Sequence, residues 1–256
     1  MHENNFNSLE DFQEGQVLVI DKPLTWTSFD VVNKVRGTIR HTFNIKKIKV
    51  GHAGTLDPLA TGVLVICTGR KTKTIDLLQA EQKTYTGTIR LGITTPSYDA
   101  ETKIDSWGDP DIISNITSEM IAFAASKLTG ELDQMPPQFS AKKVDGVTAY
   151  KAARLGKTVA LKTKRVTVNS FDIISVETVT IQEGDFNVID VKFEVVCSKG
   201  TYIRSIAHDL GKALGVGGTL TSLRRTRSGN FTSDKAWNLD ELLNAVKKAG
   251  ETGKNE

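Results

Sequence analysis

The glycine-rich stretch of residues 51–64, GHAGTLDPLATGVL, combines residue types that could do chemistry. Asp57 supplies a carboxylate in its middle, and His52 supplies an imidazole near its start. Glycines let the backbone approach a ligand closely, and a proline after the aspartate fixes a turn that can aim the carboxylate. An aimed carboxylate can act as a nucleophile or a general base. An Asp-Pro pair is more commonly a simple turn former, so these residues alone leave both interpretations open.

The stretches around this segment predict the elements that hold it in place. Residues 16–21 (QVLVID) are an apolar run that ends at a Lys-Pro pair, which indicates a strand followed by a turn. Thr27 or Ser28 can cap a helix. Its apolar side chains recur at helical spacing: Val31, Val32, Val35 and Ile39. Residues 63–67 are continuously apolar, as expected of a buried strand.

Later segments predict further strands and helices without a regular βαβ rhythm. Val191, Phe193 and Val195 alternate with charged residues, which is typical of an antiparallel strand with one buried face. Residues 83–91 form another alternating strand, and Asn238 can cap a final helix. We therefore predict an α+β fold around a mixed, mainly antiparallel sheet flanked by helices.

The distribution of charge is more informative than its total. The net charge is only +3, from 33 Lys and Arg against 30 Asp and Glu. Basic residues cluster, however, within residues 31–56, 139–168 and 224–227. Such segregation favours binding of a polyanion such as RNA or DNA, although ordinary solvated helix faces give the same pattern.

The cysteines and the apolar runs exclude several classes of protein. Cys67 and Cys197 lie far apart, and neither belongs to a CxxC pair, which excludes a disulfide framework and a zinc finger. The polar, acidic first residues do not resemble a secretory signal, and no uncharged apolar stretch reaches the roughly 18–20 residues of a membrane helix. We expect a cytoplasmic protein with no metal site and no membrane contact.

Six blocks in one order resemble the bacterial tRNA pseudouridine synthase B family (TruB family). Besides residues 51–64 they are DKPLTWTS at 21–28, KTYTGTIRLG at 83–92, PPQFSAKKVDGVTAYKAAR at 136–154, VCSKGTYIRSIAHDLG at 196–211 and LRRTRSG at 223–229. Members of this family isomerise uridine 55 in the T arm of tRNA to pseudouridine. They break the N1–C1′ glycosidic bond and rejoin the uracil through C5, and the resemblance implies the same reaction here.

The resemblance implies three catalytic residues. Asp57 corresponds to the catalytic aspartate, which is the nucleophile in the usual description of the family. A glycal route, in which the carboxylate acts as a base at C2′, uses the same residue, and the sequence leaves the two routes open. Tyr85 corresponds to the tyrosine that packs against the target base. Arg204 is similar to the arginine that pairs with the catalytic carboxylate.

Other residues are implied to bind the substrate or to border the site. Tyr202 and Leu223 match residues that line the uridine pocket. His52 resembles the histidine that helps to open the RNA loop and takes the place of the base in its stack. Lys22 and Pro23 belong to a strand-end motif beside the site.

The resemblance also implies a pseudouridine synthase fold with a central cleft, and no cofactor. We predict a polar N-terminal segment (1–15), a catalytic domain (16–230) and a C-terminal helix and tail (231–256) without an additional RNA-binding domain. The expected partner is the T arm of tRNA, gripped along its backbone by the basic clusters. No obligatory protein partner is expected, and the protein is predicted to be a monomer.

One departure from the family pattern and one mobile segment are predicted. The family usually has a glycine after Lys-Pro-x, where this chain has Thr25. Glycine adopts backbone conformations that threonine adopts only with strain, so the resemblance does not fix the local backbone conformation here. Residues 136–150 are rich in lysine and turn residues, so they could form a flap over the T arm or a plain surface loop.

Three other functions are alternatives to this interpretation. An RNA-binding or RNA-folding protein could use the same surface without catalysis. The guide-RNA-directed synthase of archaea and eukaryotes is related, but the sequence shows neither its C-terminal RNA-binding domain nor basic tails. A sugar hydrolase would need a second acid, and none occurs in a matching block.

Overall fold

The computed structural model describes residues 6–140, 142–144, 146–181 and 186–252. Contacts divide the chain into two compact units, Met1–Thr84 with Arg224–Glu256, and Tyr85–Leu223. Parts of three predicted segments lie outside the described residues: positions 1–5 of the N-terminal segment, Ala141 and Asp145 of the flap, and positions 253–256 of the tail. Along the described chain, no helix combines the length and the apolarity that crossing a membrane requires.

The secondary structure mixes helices and strands throughout. The α-helices are α1 (Leu9–Glu14), α2 (Ser28–Thr42), α3 (Ile75–Ala80), α4 (Pro110–Ser114), α5 (Ser118–Lys127), α6 (Ala149–Arg154), α7 (Ile203–Ala213) and α8 (Leu239–Thr252). The strands are β1 (Val17–Lys22), β2 (Val50–His52), β3 (Ala60–Thr68), β4 (Lys83–Leu91), β5 (Ile93–Thr94), β6 (Ser106–Trp107), β7 (Gly130–Gln134), β8 (Lys143–Val144), β9 (Val147–Thr148), β10 (Lys164–Ile181), β11 (Phe186–Cys197), β12 (Gly218–Ser228), β13 (Phe231–Thr232) and β14 (Trp237–Asn238). Short 3-10 helices cover Gly69–Thr74 and Ser233–Lys235.

In the first unit the strand order is β14–β1–β3–β12, with β2 paired to β3. β1 runs antiparallel to β3 and parallel to β14. Helices α2 and α8 pack together and, with α1, share one apolar core with these strands. The predicted apolar face of α2 is wholly buried in that core: Val31, Val32, Val35 and Ile39. The predicted cap is also confirmed, because the Thr27 hydroxyl accepts the Asp30 N–H at 3.0 Å.

In the second unit the strand order is β12–β4–β11–β10–β7. β10 runs antiparallel to both β11 and β7. Val191, Phe193 and Val195 are buried, as their alternation in the sequence predicts, and the Phe193 ring meets Phe171 edge to face at 5.8 Å. Helix α5 packs against β10 and α7. The chain passes between the units inside β4 and β12, and the predicted α+β class with a mostly antiparallel sheet is confirmed.

Candidate active site

Asp57 lies in the loop between β2 and β3, and the residue before it is fixed through its backbone. The buried Ser28 hydroxyl, in the first turn of α2, donates to the Leu56 carbonyl at 3.1 Å and accepts the Leu56 N–H at 2.8 Å. The Asp57 carbonyl accepts the Ala60 N–H at 3.0 Å, which closes a turn around Pro58. The start of α2 therefore anchors the loop next to its carboxylate.

Lys22 anchors the residue that follows Asp57. Its side chain is fully buried, and Nζ donates to the carbonyls of Pro23 (2.8 Å), Trp26 (2.6 Å) and Pro58 (3.2 Å). Burial lowers the pKa of Lys22 to about 8, against the opposing attraction of the nearby Asp57 carboxylate. The Lys-Pro motif at the end of β1 thus contacts the Asp57 loop through Lys22.

Thr25 adopts the backbone conformation that glycine adopts readily. Its φ of +70° lies in the left-handed region, which is a genuine outlier for a β-branched residue. The Thr25 N–H donates to the Pro58 carbonyl at 2.9 Å. The replacement of the family's glycine therefore introduces strain, but the backbone contact to the Asp57 loop is made.

Arg225 is a further residue of this site. The sequence predicted that the basic residues at 224–227 bind the RNA backbone, and this is wrong for Arg225, because its side chain is buried. The side chain is 1% exposed, and it donates to the carbonyls of Val63 (2.7 Å, from Nε) and Gly54 (3.0 Å, from Nη2). Its neighbour Arg224 makes a bidentate pair with Asp21, at 2.9 and 2.7 Å. Successive residues of a strand face opposite sides, which explains why one arginine is buried and its neighbour is not. No apolar period in residues 218–228 signalled this in the sequence.

Gly62 shows why the glycine-rich segment tolerates no side chain at this position. Its φ is +99°, and an added Cβ would lie 2.2 Å from the Arg225 carbonyl. β3 and β12 can pair closely there because the side chain is absent.

His52 is the last residue of β2 and pairs with Ile66 of β3. Burial lowers the pKa of the imidazole, and the charge of Arg225 lowers it further, so the neutral ring predominates near pH 7. Nδ1 is buried and has no hydrogen-bond partner among the described residues. Its implied contact with the RNA loop stays a prediction.

Arg204 lies in the first turn of α7 and is 4% exposed. Nη1 donates to the Ser97 carbonyl at 3.2 Å, and Nε lies 3.6 Å from a carboxylate oxygen of Asp99. The Asp99 carbonyl accepts the hydroxyls of Thr95 (2.7 Å) and Ser97 (3.1 Å). The Asp99 carboxylate thus lies at ion-pair distance from the predicted catalytic arginine. Asp99 belongs to none of the matching blocks, so no motif indicated it.

Tyr202, the N-cap residue of α7, is fixed through its backbone by Gln134. The Gln134 side chain accepts the Tyr202 N–H at 2.7 Å and donates to its carbonyl at 3.0 Å. Tyr85 lies on β4 and is 9% exposed, whereas Leu223 on β12 is partly buried. The second unit therefore contains an ordered start of α7, Tyr85 on the predicted strand β4, and Leu223 on β12, a strand that the sequence did not predict.

The eight predicted site residues divide between the units. Those of the first unit are Lys22, Pro23, His52 and Asp57, and those of the second are Tyr85, Tyr202, Arg204 and Leu223. Lys22 donates to the carbonyls of Pro23 and Pro58 and so joins the end of β1 to the Asp57 loop. The predicted pairing of Arg204 with Asp57 involves both units and stays a prediction.

Part of the basic cluster at 139–168 already has acidic partners. Arg154 pairs with Glu101 at 3.3 Å, and Arg165 pairs with Glu131 at 2.7 Å. Both arginines are largely exposed, and exposed pairs contribute little stability, so these cations can still exchange partners. Their contact with RNA stays a prediction.

Comparison with solved structures defines the class of fold. The chain superposes with a TM-score of 0.62 on the archaeal box H/ACA sRNP Nop10-Cbf5 complex, at 27% identity over 94% of this chain and 57% of that one. A second match, an H/ACA RNP bound to a substrate RNA containing 2'-deoxyuridine, has a TM-score of 0.64 and 26% identity over 98% of this chain and 62% of that one. The fold is that of pseudouridine synthases.

Sequence comparison then identifies the family. Residues 40–203 match the TruB family pseudouridylate synthase N-terminal domain, and residues 204–256 match the tRNA pseudouridylate synthase B C-terminal domain. The tRNA pseudouridine synthase B of Parabacteroides distasonis is 48% identical over 91% of this chain and 93% of its own length. That of Phocaeicola vulgatus is 49% identical over the same shares of both chains. The chain belongs to the TruB family of pseudouridylate synthases, which confirms the resemblance inferred from the sequence blocks.

Proposed function

We propose that the protein converts uridine 55 in the T arm of tRNA to pseudouridine, with Asp57 as the nucleophile on a flipped-out nucleotide. Membership of the TruB family supports the reaction. The role of Asp57 is supported by one observation, the anchoring of the peptide groups on both sides of it. Ser28 bonds the backbone of Leu56, and Lys22 and Thr25 both donate to the carbonyl of Pro58. Such anchoring fixes the direction of a carboxylate before the substrate arrives.

The reaction needs only a group that can stabilise or bond to C1′. The N1–C1′ bond breaks, the uracil turns, C5 bonds to C1′, and C5 loses a proton while N1 gains one. Cleavage places positive character on the ribose, which a carboxylate beside C1′ can accept as a covalent bond or stabilise as an ion pair. Asp57 serves both descriptions, and it serves the glycal route as the base at C2′.

For each of these roles Asp57 must be ionised at neutral pH. A flipped base that excludes water would by itself raise the pKa of the carboxyl, because burial disfavours the charged form. In the proposed mechanism the Arg204 guanidinium opposes this effect and orients the carboxylate through its two-pronged donor geometry. The contacts of Arg204 with Asp99 and Ser97 support this role, because they hold the guanidinium in one orientation.

The nucleotide must leave its stack before C1′ can be reached. In the proposal Tyr85 and Leu223 provide a replacement stack for the uracil, worth roughly 1–3 kcal/mol per base. Tyr202 lines the pocket, and its backbone is already fixed by Gln134. His52 takes the place of the base in the RNA loop, which a neutral imidazole can do without a charge to desolvate.

The remaining parts of the proposal concern the partner and its surroundings. The basic clusters that are not buried bind the tRNA backbone, with an affinity that falls as salt rises. The protein acts in the cytoplasm as a monomer. Cys67 and Cys197 are both buried and form no disulfide, which suits a reducing compartment.

A T-arm minihelix with tritium at C5 of the target uridine tests the function, because isomerisation releases the label and binding does not. The wild-type protein should release tritium. Asp57→Asn should bind the minihelix with similar affinity and release none. Asp76→Asn, which changes an exposed carboxylate of the same unit in the first turn of α3, is the matched control and should behave as the wild type.

Two outcomes would contradict the proposal. Tight binding by the wild type without release of tritium would favour an RNA-binding or RNA-folding protein. Undiminished release by Asp57→Asn would remove the carboxylate from the mechanism while leaving the reaction in place.

A further inference from the structure

Two adjacent residues of the loop at 95–102 contact two residues of α7 that lie one helical turn apart. The Tyr98 ring stacks on His208, with ring centroids 4.0 Å apart and planes 12° from parallel. The next residue, Asp99, lies 3.6 Å from Nε of Arg204. Because positions four apart share a helix face, the loop holds that face of α7 at two neighbouring points.

Tyr98, which makes the first of these contacts, has a strained backbone conformation. Its φ is +62°, a left-handed conformation that bulky residues rarely adopt. Its N–H donates to the Thr95 carbonyl and its carbonyl accepts the Leu220 N–H, each at 3.0 Å. Strain of this kind persists where the surroundings fix a residue strongly, and it is concentrated at functional sites.

His208 contributes the flat face of its ring to the stack. Nδ1 is buried and has no hydrogen-bond partner among the described residues. Burial lowers the pKa of His208 and so favours the neutral ring, although the charge of Asp209 acts in the opposite direction. An aromatic side chain that lacked both nitrogens could therefore make the same contact.

We infer that Tyr98 and His208 are positioning residues, whose stack fixes α7 against the loop and thereby sets the direction in which Asp99 holds the Arg204 guanidinium. The inference rests on the proposed function, in which Arg204 orients the catalytic carboxylate. Without the stack, Asp99 and Arg204 keep their charges but lose their alignment. Misplacement of a catalytic group by about 1 Å can lower a rate by about a hundredfold.

The first experiment is single-turnover tritium release from the T-arm minihelix, with binding affinity measured in parallel. His208→Ala should lower the rate about ten- to hundredfold and change the dissociation constant by less than about threefold, because alignment is lost and the binding surface is not. His208→Phe restores the stack and should recover most of the rate. Lys212→Ala, an exposed change one turn further along α7, is the matched control.

A second variant separates positioning from general stability. Tyr98→Gly removes the stack but also relieves the strain of the left-handed conformation, so the midpoint of urea unfolding should fall by less than the loss of the ring alone predicts. Its rate should nevertheless fall about as far as that of His208→Ala. In an Asp99→Asn background either change should have little further effect, since the pair that the stack aligns is already broken.

The outcomes distinguish this inference from the proposed function. A wild-type protein that releases no tritium contradicts the function itself. An active wild type with full rates for His208→Ala and Tyr98→Gly overturns the positioning role alone. The same holds if His208→Phe is as slow as His208→Ala, or if the losses add fully to that of Asp99→Asn.

Discussion

Buried cations are used differently in the two units. In the first unit, Lys22 and Arg225 donate to main-chain carbonyls around the Asp57 loop. In the second unit, Arg204 is held beside a carboxylate, that of Asp99, as well as by a carbonyl. A cation that binds carbonyls fixes the path of the backbone, whereas a carboxylate fixes the direction of the guanidinium. We therefore expect changes at Lys22 and Arg225 to appear in stability, and changes at Arg204 to appear in rate.

The largest expected effect is on the rate, from Arg204→Lys. The charge is kept, but an ammonium lacks the rigid planar fork with which a guanidinium bonds both oxygens of a carboxylate, so tritium release should slow about 10²- to 10³-fold. The free energy of unfolding in urea should change by no more than about 1 kcal/mol. Arg90→Lys, which alters the bidentate pair with Asp190 in the same unit, is the control and should leave the rate intact. A near-normal rate for Arg204→Lys would contradict the orienting role proposed for the guanidinium.

Arg225→Met should show the opposite pattern. The Val63 and Gly54 carbonyls lose their donors inside the protein, which should lower the free energy of unfolding by about 3 kcal/mol. Arg224→Met at the next position is the control, because its pair with Asp21 is partly exposed and should contribute no more than about 1 kcal/mol. Equal losses for the two variants in urea unfolding would contradict the role assigned to Arg225.

Lys22 should make the free energy of unfolding depend on pH between about 8 and 10.5. Its pKa in the folded protein is about 8, below the usual value of 10.5, so between these values the unfolded chain holds a proton that the folded one lacks. Stability therefore rises with pH in this window. From about pH 7 to about pH 9.5 the wild type should gain about 2 kcal/mol relative to Lys22→Met, measured by urea unfolding. If the two proteins differed in free energy of unfolding by the same amount at every pH, burial would not lower the pKa of Lys22.

The smallest effect is expected from Thr25→Gly. Glycine adopts a φ of +70° without strain and keeps the N–H that bonds Pro58, so the thermal midpoint should rise by an amount equivalent to about 0.5–1 kcal/mol. Asn44→Gly changes another left-handed residue, of a type that tolerates the conformation, and should gain less. A lower midpoint for Thr25→Gly would mean that packing of the threonine side chain outweighs its strain.

The amphipathic elements could be predicted from the sequence because their signals are local. The α2 face of Val31, Val32, Val35 and Ile39, its Thr27 cap and the alternation along β11 depend on spacing within a single element. Strand β12 was not predicted, because its run of arginines and threonines carries no apolar period. For the same reason, Arg225 was predicted to bind RNA at the surface, whereas its side chain is buried.

The sequence alone identifies the family and the reaction class, because several motifs occur in the family's order. The roles of the site residues stay predictions. The sequence also determined the cap and the buried face of α2, since both are properties of neighbouring residues. Tertiary contacts place Thr25 in a left-handed conformation, bury Arg225 against Gly54 and Val63, and bring the Asp99 carboxylate to 3.6 Å from Arg204 Nε. These contacts join residues distant in the chain, and their energies depend on burial, which no local pattern encodes.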